Sequence, residues 1–168
     1  MVKNLILVFL FIFTINNSSY SEEKIVYLDI NFILNNSVNG KSLLNNLDIL
    51  KKKNNVILKS DEKLLILEDD DIKKKKNILT KEELNIKIKN LNEKYIIFNK
   101  KKKKLLLEFN KKKENEINKF LKLLNPIIKN YVEKNSISLV LDKKNVLIGK
   151  KNYDITSKVL DVVNKEIK

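Results

Sequence analysis

Lysine is the residue type whose number and spacing in this chain suggest chemistry. Lys51, Lys52 and Lys53, then Lys73, Lys74, Lys75 and Lys76, then Lys100, Lys101, Lys102, Lys103 and Lys104, then Lys111, Lys112 and Lys113 form four runs. Such runs attract anions through a long-range field that salt weakens. Bond-making chemistry has little to work with. There is no His, Cys or Arg, and glycine occurs only as Gly40 and Gly149. That composition excludes disulfide scaffolds, thiol nucleophiles, the usual metal ligands and a glycine-rich phosphate cradle. Glu68, Asp69, Asp70 and Asp71 lack the glycine-punctuated spacing of a calcium loop. They read as a solvated helix end beside the second lysine run. The chain is therefore read as a non-enzyme with no cofactor and no metal.

The charge is unevenly placed along the 168 residues, whose formal net charge is +14. Residues 41–125 hold 24 Lys and 13 acidic residues, whereas residues 22–40 and 126–168 together hold 10 Lys and 8 acidic residues. The middle of the chain carries the field, and its apolar pattern is that of two helices folded on each other. Leu84, Ile88, Leu91, Tyr95, Phe98, Leu105 and Phe109 step by four and three, interrupted only at Lys102, as a coiled-coil seam does. Upstream, Leu43, Leu50, Ile57 and Leu64 repeat every seven residues while a companion row decays through Leu47, Asn54, Asp61 and Glu68. The seam is expected to be dry near one end and wet toward the other. Thr80 followed three residues later by Glu83 is a capping box; it starts the second helix and puts the hairpin tip near residues 72–80. At about 1.5 Å per residue the two limbs come to about 45 and 65 Å, a rod that projects. Ile86, Ile96, Ile97, Leu106 and Leu107 fall outside the seam, and a two-helix rod has too little interior to hide them all.

The two ends of the chain must supply what the rod is anchored to. Lys3, the apolar run 5–15 and the small residues Ser19 and Ser21 form a secretory signal peptide, residues 1–21, with cleavage after Ser21. The apolar run is too short to span a bilayer. Export leaves little nucleic acid within reach of the lysines, so no nucleic-acid partner is expected. Ile25, Val26, Tyr27 and Leu28 read as a strand, residues 31–37 as a short helix, and Asn39-Gly40 as a break before the rod. Past Phe109 the apolar spacing slips, and Pro126 is expected to bias Asn125 away from helix and kink the chain where the rod meets the rest. Leu139, Val140 and Leu141 centre a second strand; residues 143–145 make a turn, and Val146, Leu147, Ile148 and Gly149 a third strand, the last two pairing as a hairpin. Asp154 and Thr156 are candidate N-caps for a closing helix whose apolar face is Val159, Leu160, Val162 and Val163.

The fold class implied is α+β and predominantly helical. A small body of three short strands and short helices, built from residues 22–40 and 126–168, carries a long antiparallel coiled-coil hairpin of residues 41–125. Such a body is marginal alone. Self-association through the strands (Ile25, Val26, Tyr27, Leu28, Leu139, Val140, Leu141, Val146, Leu147, Ile148) is expected to complete it.

This order of elements, with Val26-Tyr27-Leu28-Asp29 leading into residues 31–37, Leu139-Val140-Leu141-Asp142, and Asp154-Ile155-Thr156 opening the last helix, resembles the Skp family of periplasmic chaperones, also called OmpH. The resemblance covers essentially the whole chain after the signal peptide. It implies a homotrimer in which the strands join into a shared β-body and three hairpins surround a cavity. In that cavity the family holds unfolded outer-membrane proteins, in the periplasm and without ATP. On this reading the four lysine runs are the electrostatic contacts with the client, and Ile86, Ile96, Ile97, Leu106 and Leu107 the apolar ones. Anionic lipid or lipopolysaccharide is a further partner to consider. The alternatives are a secreted coiled coil that tethers or spaces envelope components, and a module that binds anionic lipid or lipopolysaccharide through its lysines.

Overall fold

A computed structural model describes residues 23–167, so the signal-peptide reading lies outside the described residues. Strand β1 (Ile25–Leu28) and strand β2 (Leu139–Asp142) pair in parallel, with Ile25 opposite Leu139 and Leu28 opposite Asp142. More than a hundred residues separate them, so the small sheet closes only once the whole rod has gone out and returned. Side chains alternate across it as strand geometry requires. Val26 and Leu28 point into the core, and Ile25, Leu139 and Leu141 stay exposed.

The short helix α1 (Ile30–Asn36) is capped by Asp29, whose carboxylate accepts from the Phe32 amide at 2.8 Å. Ser37 then serves two helices. Its amide donates to the Ile33 carbonyl at 2.8 Å, ending α1, and its hydroxyl accepts from Gly40 at 3.1 Å, starting α2 (Val38–Lys75). Asn39-Gly40, expected to break the chain, therefore lies inside the first turn of a helix. The glycine is there for close approach: a Cβ at Gly40 would meet the carbonyl oxygen of Leu34.

Helix α3 (Lys81–Lys134) returns antiparallel to α2 after residues 76–80. Its N-terminus is the capping box read from the sequence: Glu83 accepts from the Thr80 amide at 2.9 Å and the Thr80 hydroxyl accepts from the Glu83 amide at 3.3 Å. With 38 and 54 residues, α2 and α3 are about 57 and 81 Å long. The excess in α3 comes from Pro126, which does not end the helix, Asn125 being helical too; α2 starts earlier, at Val38, and runs on to Lys75. Phe120, Leu124 and Ile127 are buried at helical spacing on either side of the proline, and their packing holds the backbone through it. The helix stops eight residues past the proline, at Lys134, in a Schellman motif, with Ile137 donating to the Val132 carbonyl, Ser136 donating to that of Glu133, and Ser136 at φ 50°.

The expected third strand does not form within the chain. Residues 143–145 wind into a 3₁₀ turn capped by Asp142, and residues 146–149 run on unpaired, with Leu147 and Ile148 96% and 90% exposed. The 3₁₀ turn replaces the hairpin turn that would have returned the chain along β2: Gly149 lies against the Tyr27 ring instead, the Tyr27 hydroxyl donates to the Lys150 carbonyl at 3.2 Å, and the Asp154 backbone takes the other side of β1, where the Ile155 amide donates to Tyr27 at 3.0 Å. Helix α4 (Thr156–Glu166) closes the body. Asp154 accepts from the Thr156 amide, as a cap does, and Val159 and Val163 are fully buried while Leu160 and Val162 are half-buried. Ten residues form the body core: Val26, Leu28, Ile33, Phe120, Leu124, Ile127, Ile137, Ile155, Val159 and Val163. Both ends of the chain contribute to it.

Candidate functional site

The lysine runs lie on the surfaces of α2 and α3, with Lys76 capping the end of α2, and are all exposed. Some are neutralised locally. Lys52 pairs with Asp48, Lys73 with Asp69 and Lys75 with Asp71, each four residues away on the same helix, and Lys104 and Lys112 reach Glu108 and Glu116. The hydrogen bond from Lys75 holds the Asp71 carboxyl below the usual range, and Asp69 raises Lys73 in the same way. Among the described residues Lys51, Lys53, Lys74, Lys76, Lys100, Lys102, Lys103, Lys111 and Lys113 have no such partner. These nine, spread from Lys51 to Lys113 along both limbs, carry the uncompensated field.

Two lysines do structural work across the hairpin. Lys94 reaches Glu68 at 2.6 Å and Lys101 reaches Asp61 at 2.5 Å. Asp61 and Glu68 are the members of the companion row that had turned acidic, so the decaying row is ion-paired. The expectation of a seam dry at one end and wet at the other is corrected. Leu47 is buried near the body, and burial returns at Leu65, Ile72 and Leu91 close to the tip, backed by Leu84, Tyr95 and Phe98. The wet stretch is in between. The seven-residue row also drifts: Leu64 is 63% exposed, and Leu58, Leu65 and Ile72 take over one residue later. A strict seven-residue repeat lags a straight helix by about 20° per heptad, which makes such a handover necessary.

Ile86, Ile96, Ile97, Leu106 and Leu107 are all more than half exposed. Eleven residues are about three full turns, so Ile86 and Ile97 share one face of α3 while Ile96 and Leu107 share the adjoining one. Sequence reading missed Ile49, Val56, Ile66 and Leu67 of α2, also exposed. Ile49 and Val56, seven apart and beside the Leu43 row, carried the signal that could have found them. Apolar surface therefore lies among the free lysines on both limbs.

The ten strand residues divide. Val26 and Leu28 belong to the chain's own core, so their side chains are withdrawn from any contact between copies. Tyr27, Val140 and Val146 are half-buried, and Ile25, Leu139, Leu141, Leu147 and Ile148 are exposed, Ile25 and Leu141 lining one shallow hollow with Ile148. Among the described residues no group of three or more His, Cys, Asp or Glu is placed to hold a metal, and no helix is long and apolar enough to cross a membrane.

The family model for outer membrane proteins of the OmpH-like kind matches residues 24–163. A crystal structure from Caulobacter crescentus CB15, described as a candidate outer membrane chaperone (OmpH-like), superposes with a TM-score of 0.77. The match covers 87% of this chain and 86% of that one at 19% sequence identity, a likeness of fold. Among curated proteins none matches by sequence.

Proposed function

The chain belongs to the OmpH-like outer membrane protein family, and on that premise we propose that it is a periplasmic holdase that keeps unfolded outer-membrane proteins from aggregating, without ATP and without catalysis. The observation that carries the reading is the interleaving, along both limbs, of uncompensated lysines with exposed apolar side chains. A tether needs apolar residues only in its seam, and a lipid-binding arm would gather its charge at the tip. Here both kinds of contact recur along the length. An unfolded chain with apolar segments and net negative charge is drawn in by the field and retained by many weak contacts at once, each too weak to impose a structure.

In this proposal three copies join through the exposed side chains around β2, the hairpins enclose the client between them, and the signal peptide is removed after Ser21. Anionic lipid or lipopolysaccharide is kept as a second ligand of the free lysines. The test is dilution of a urea-unfolded outer-membrane barrel protein into the chain from Glu22 onward, with light scattering and the molar mass of the complex followed together. Aggregation should be suppressed at about three chains per client and less well as salt rises. An oligomer that leaves aggregation unchanged overturns the holdase reading in favour of an envelope tether.

A further inference from the structure

Midway along the hairpin the two helices stop burying side chains. No residue of α2 between Leu47 and Leu65 is buried, and none of α3 between Leu91 and Phe120. In this interval they leave an opening of about 400 Å³ whose apolar lining is Leu58, Leu105 and Phe109, all half-buried, with the exposed Leu106 beside them. Two places where the seam would carry apolar side chains hold Asn54 and Lys102, and both line this same opening. Lys51 joins them from α2. Neither Lys51 nor Lys102 has a carboxylate within ion-pair distance among the described residues, although Lys52 and Lys101 next to them both do.

The polar positions leave unfinished a seam that Leu at 54 and 102 would close over Phe109. What they leave instead is apolar surface for one ring-sized group, two ammonium groups to meet a negative charge beside it, and a side-chain amide at Asn54 able to donate to the same charge. We propose that this opening binds an extended polypeptide segment carrying an aromatic side chain next to a carboxylate. The proposal rests on the holdase reading and assigns one defined contact within it: each arm has a fixed site for an aromatic–acidic pair amid its diffuse field. Charge complementarity selects this occupant, since an apolar segment without the acid leaves both lysines unmatched and an acid without the ring leaves Phe109 and Leu105 wet.

The probe is a dansyl-labelled peptide with a central Phe-Asp pair, compared with its Phe-Asn counterpart by fluorescence anisotropy on the chain from Glu22 onward. The Phe-Asp peptide is expected to bind at least tenfold more tightly. Asn54→Leu combined with Lys102→Leu should raise the unfolding temperature, since it completes the seam, while weakening Phe-Asp binding at least tenfold. A protein that becomes more stable as it loses binding has not lost it by unfolding. Lys89→Gln, which removes the same single positive charge from α3 away from the opening, should weaken binding less than threefold. Equal losses in the seam-closing variant and the Lys89 control, unchanged binding when the seam is closed, or displacement of the peptide by laurate at the site would each overturn the proposal. The two readings fail separately. A wild-type chain that leaves barrel-protein aggregation unchanged overturns the holdase reading, whereas the peptide comparison alone decides the site.

Discussion

Gly40 and Ser136 are two backbone positions at which substitution should act in opposite directions. In an exposed helix Gly→Ala gains about 1 kcal/mol. At Gly40 the new methyl would be driven into the Leu34 carbonyl and crowd the Ser37 hydroxyl, which is itself fully buried. Neither is the free end of a flexible side chain, so relief requires α1 to shift against α2. Gly40→Ala is expected to destabilise the body by about 2–4 kcal/mol, read from urea unfolding. Ser136 stands at φ 50°, where a side chain crowds its own carbonyl. Ser136→Gly keeps both Schellman hydrogen bonds and removes that crowding, so it should stabilise by about 0.5–1 kcal/mol in the same assay. Asp154 adds a charged contact near the sheet. Burial acts to raise its carboxyl, but the hydrogen bonds from Thr156 and Lys143 outweigh burial and hold it low.

Elements written in local pattern were legible from the sequence, and those that depend on a distant partner were not. Thr80 and Glu83 announce a helix start because both partners lie within one turn. The runs around Val26 and Leu139 read as strands for the same reason. Their parallel pairing was not legible, since it joins residues more than a hundred positions apart, and residues 146–149 form no strand because contacts of Gly149 and Lys150 with the distant Tyr27 hold them off the edge of β2. Pro126 misled for a related cause: its local cost is overridden by core contacts of Phe120, Leu124 and Ile127 that no window around it displays. At the candidate site Asn54 and Lys102 were visible as interruptions, but that they face one opening depends on a register that Lys94–Glu68 and Lys101–Asp61 mark only in the folded hairpin. The tip owes its order to a core of three buried residues, far smaller than that of the body. Leu91→Ala should remove about 2–3 kcal/mol there. Hydrogen exchange is expected to show lost amide protection from Leu65 to Phe98, with β1, α1 and α4 unchanged.

At the scale of the whole molecule, a body of two strands, α1, α4 and the end of α3 carries a hairpin of helices 38 and 54 residues long. Leu147 and Ile148 are almost entirely exposed, Ile25, Leu139 and Leu141 are exposed nearby, and β2 offers an unpaired edge. A free edge, here four residues long, beside exposed apolar side chains is a pairing template, so the proposed assembly has a specific place to form. Leu147→Asp with Ile148→Asp puts two charges there without touching a buried contact of the single chain. Helix content by circular dichroism should therefore stay unchanged while the molar mass by light scattering falls to that of one chain. An unchanged mass would remove this surface from the assembly. Function should then separate by level. One arm still offers its opening at Phe109, so the Phe-Asp peptide should bind each chain as before. On the proposed holdase reading a barrel protein is held by several arms at once, and loss of these linked contacts reduces effective concentration steeply. The dissociated variant is expected to bind peptide and fail to suppress aggregation, which would locate holding in the assembly and recognition in the arm.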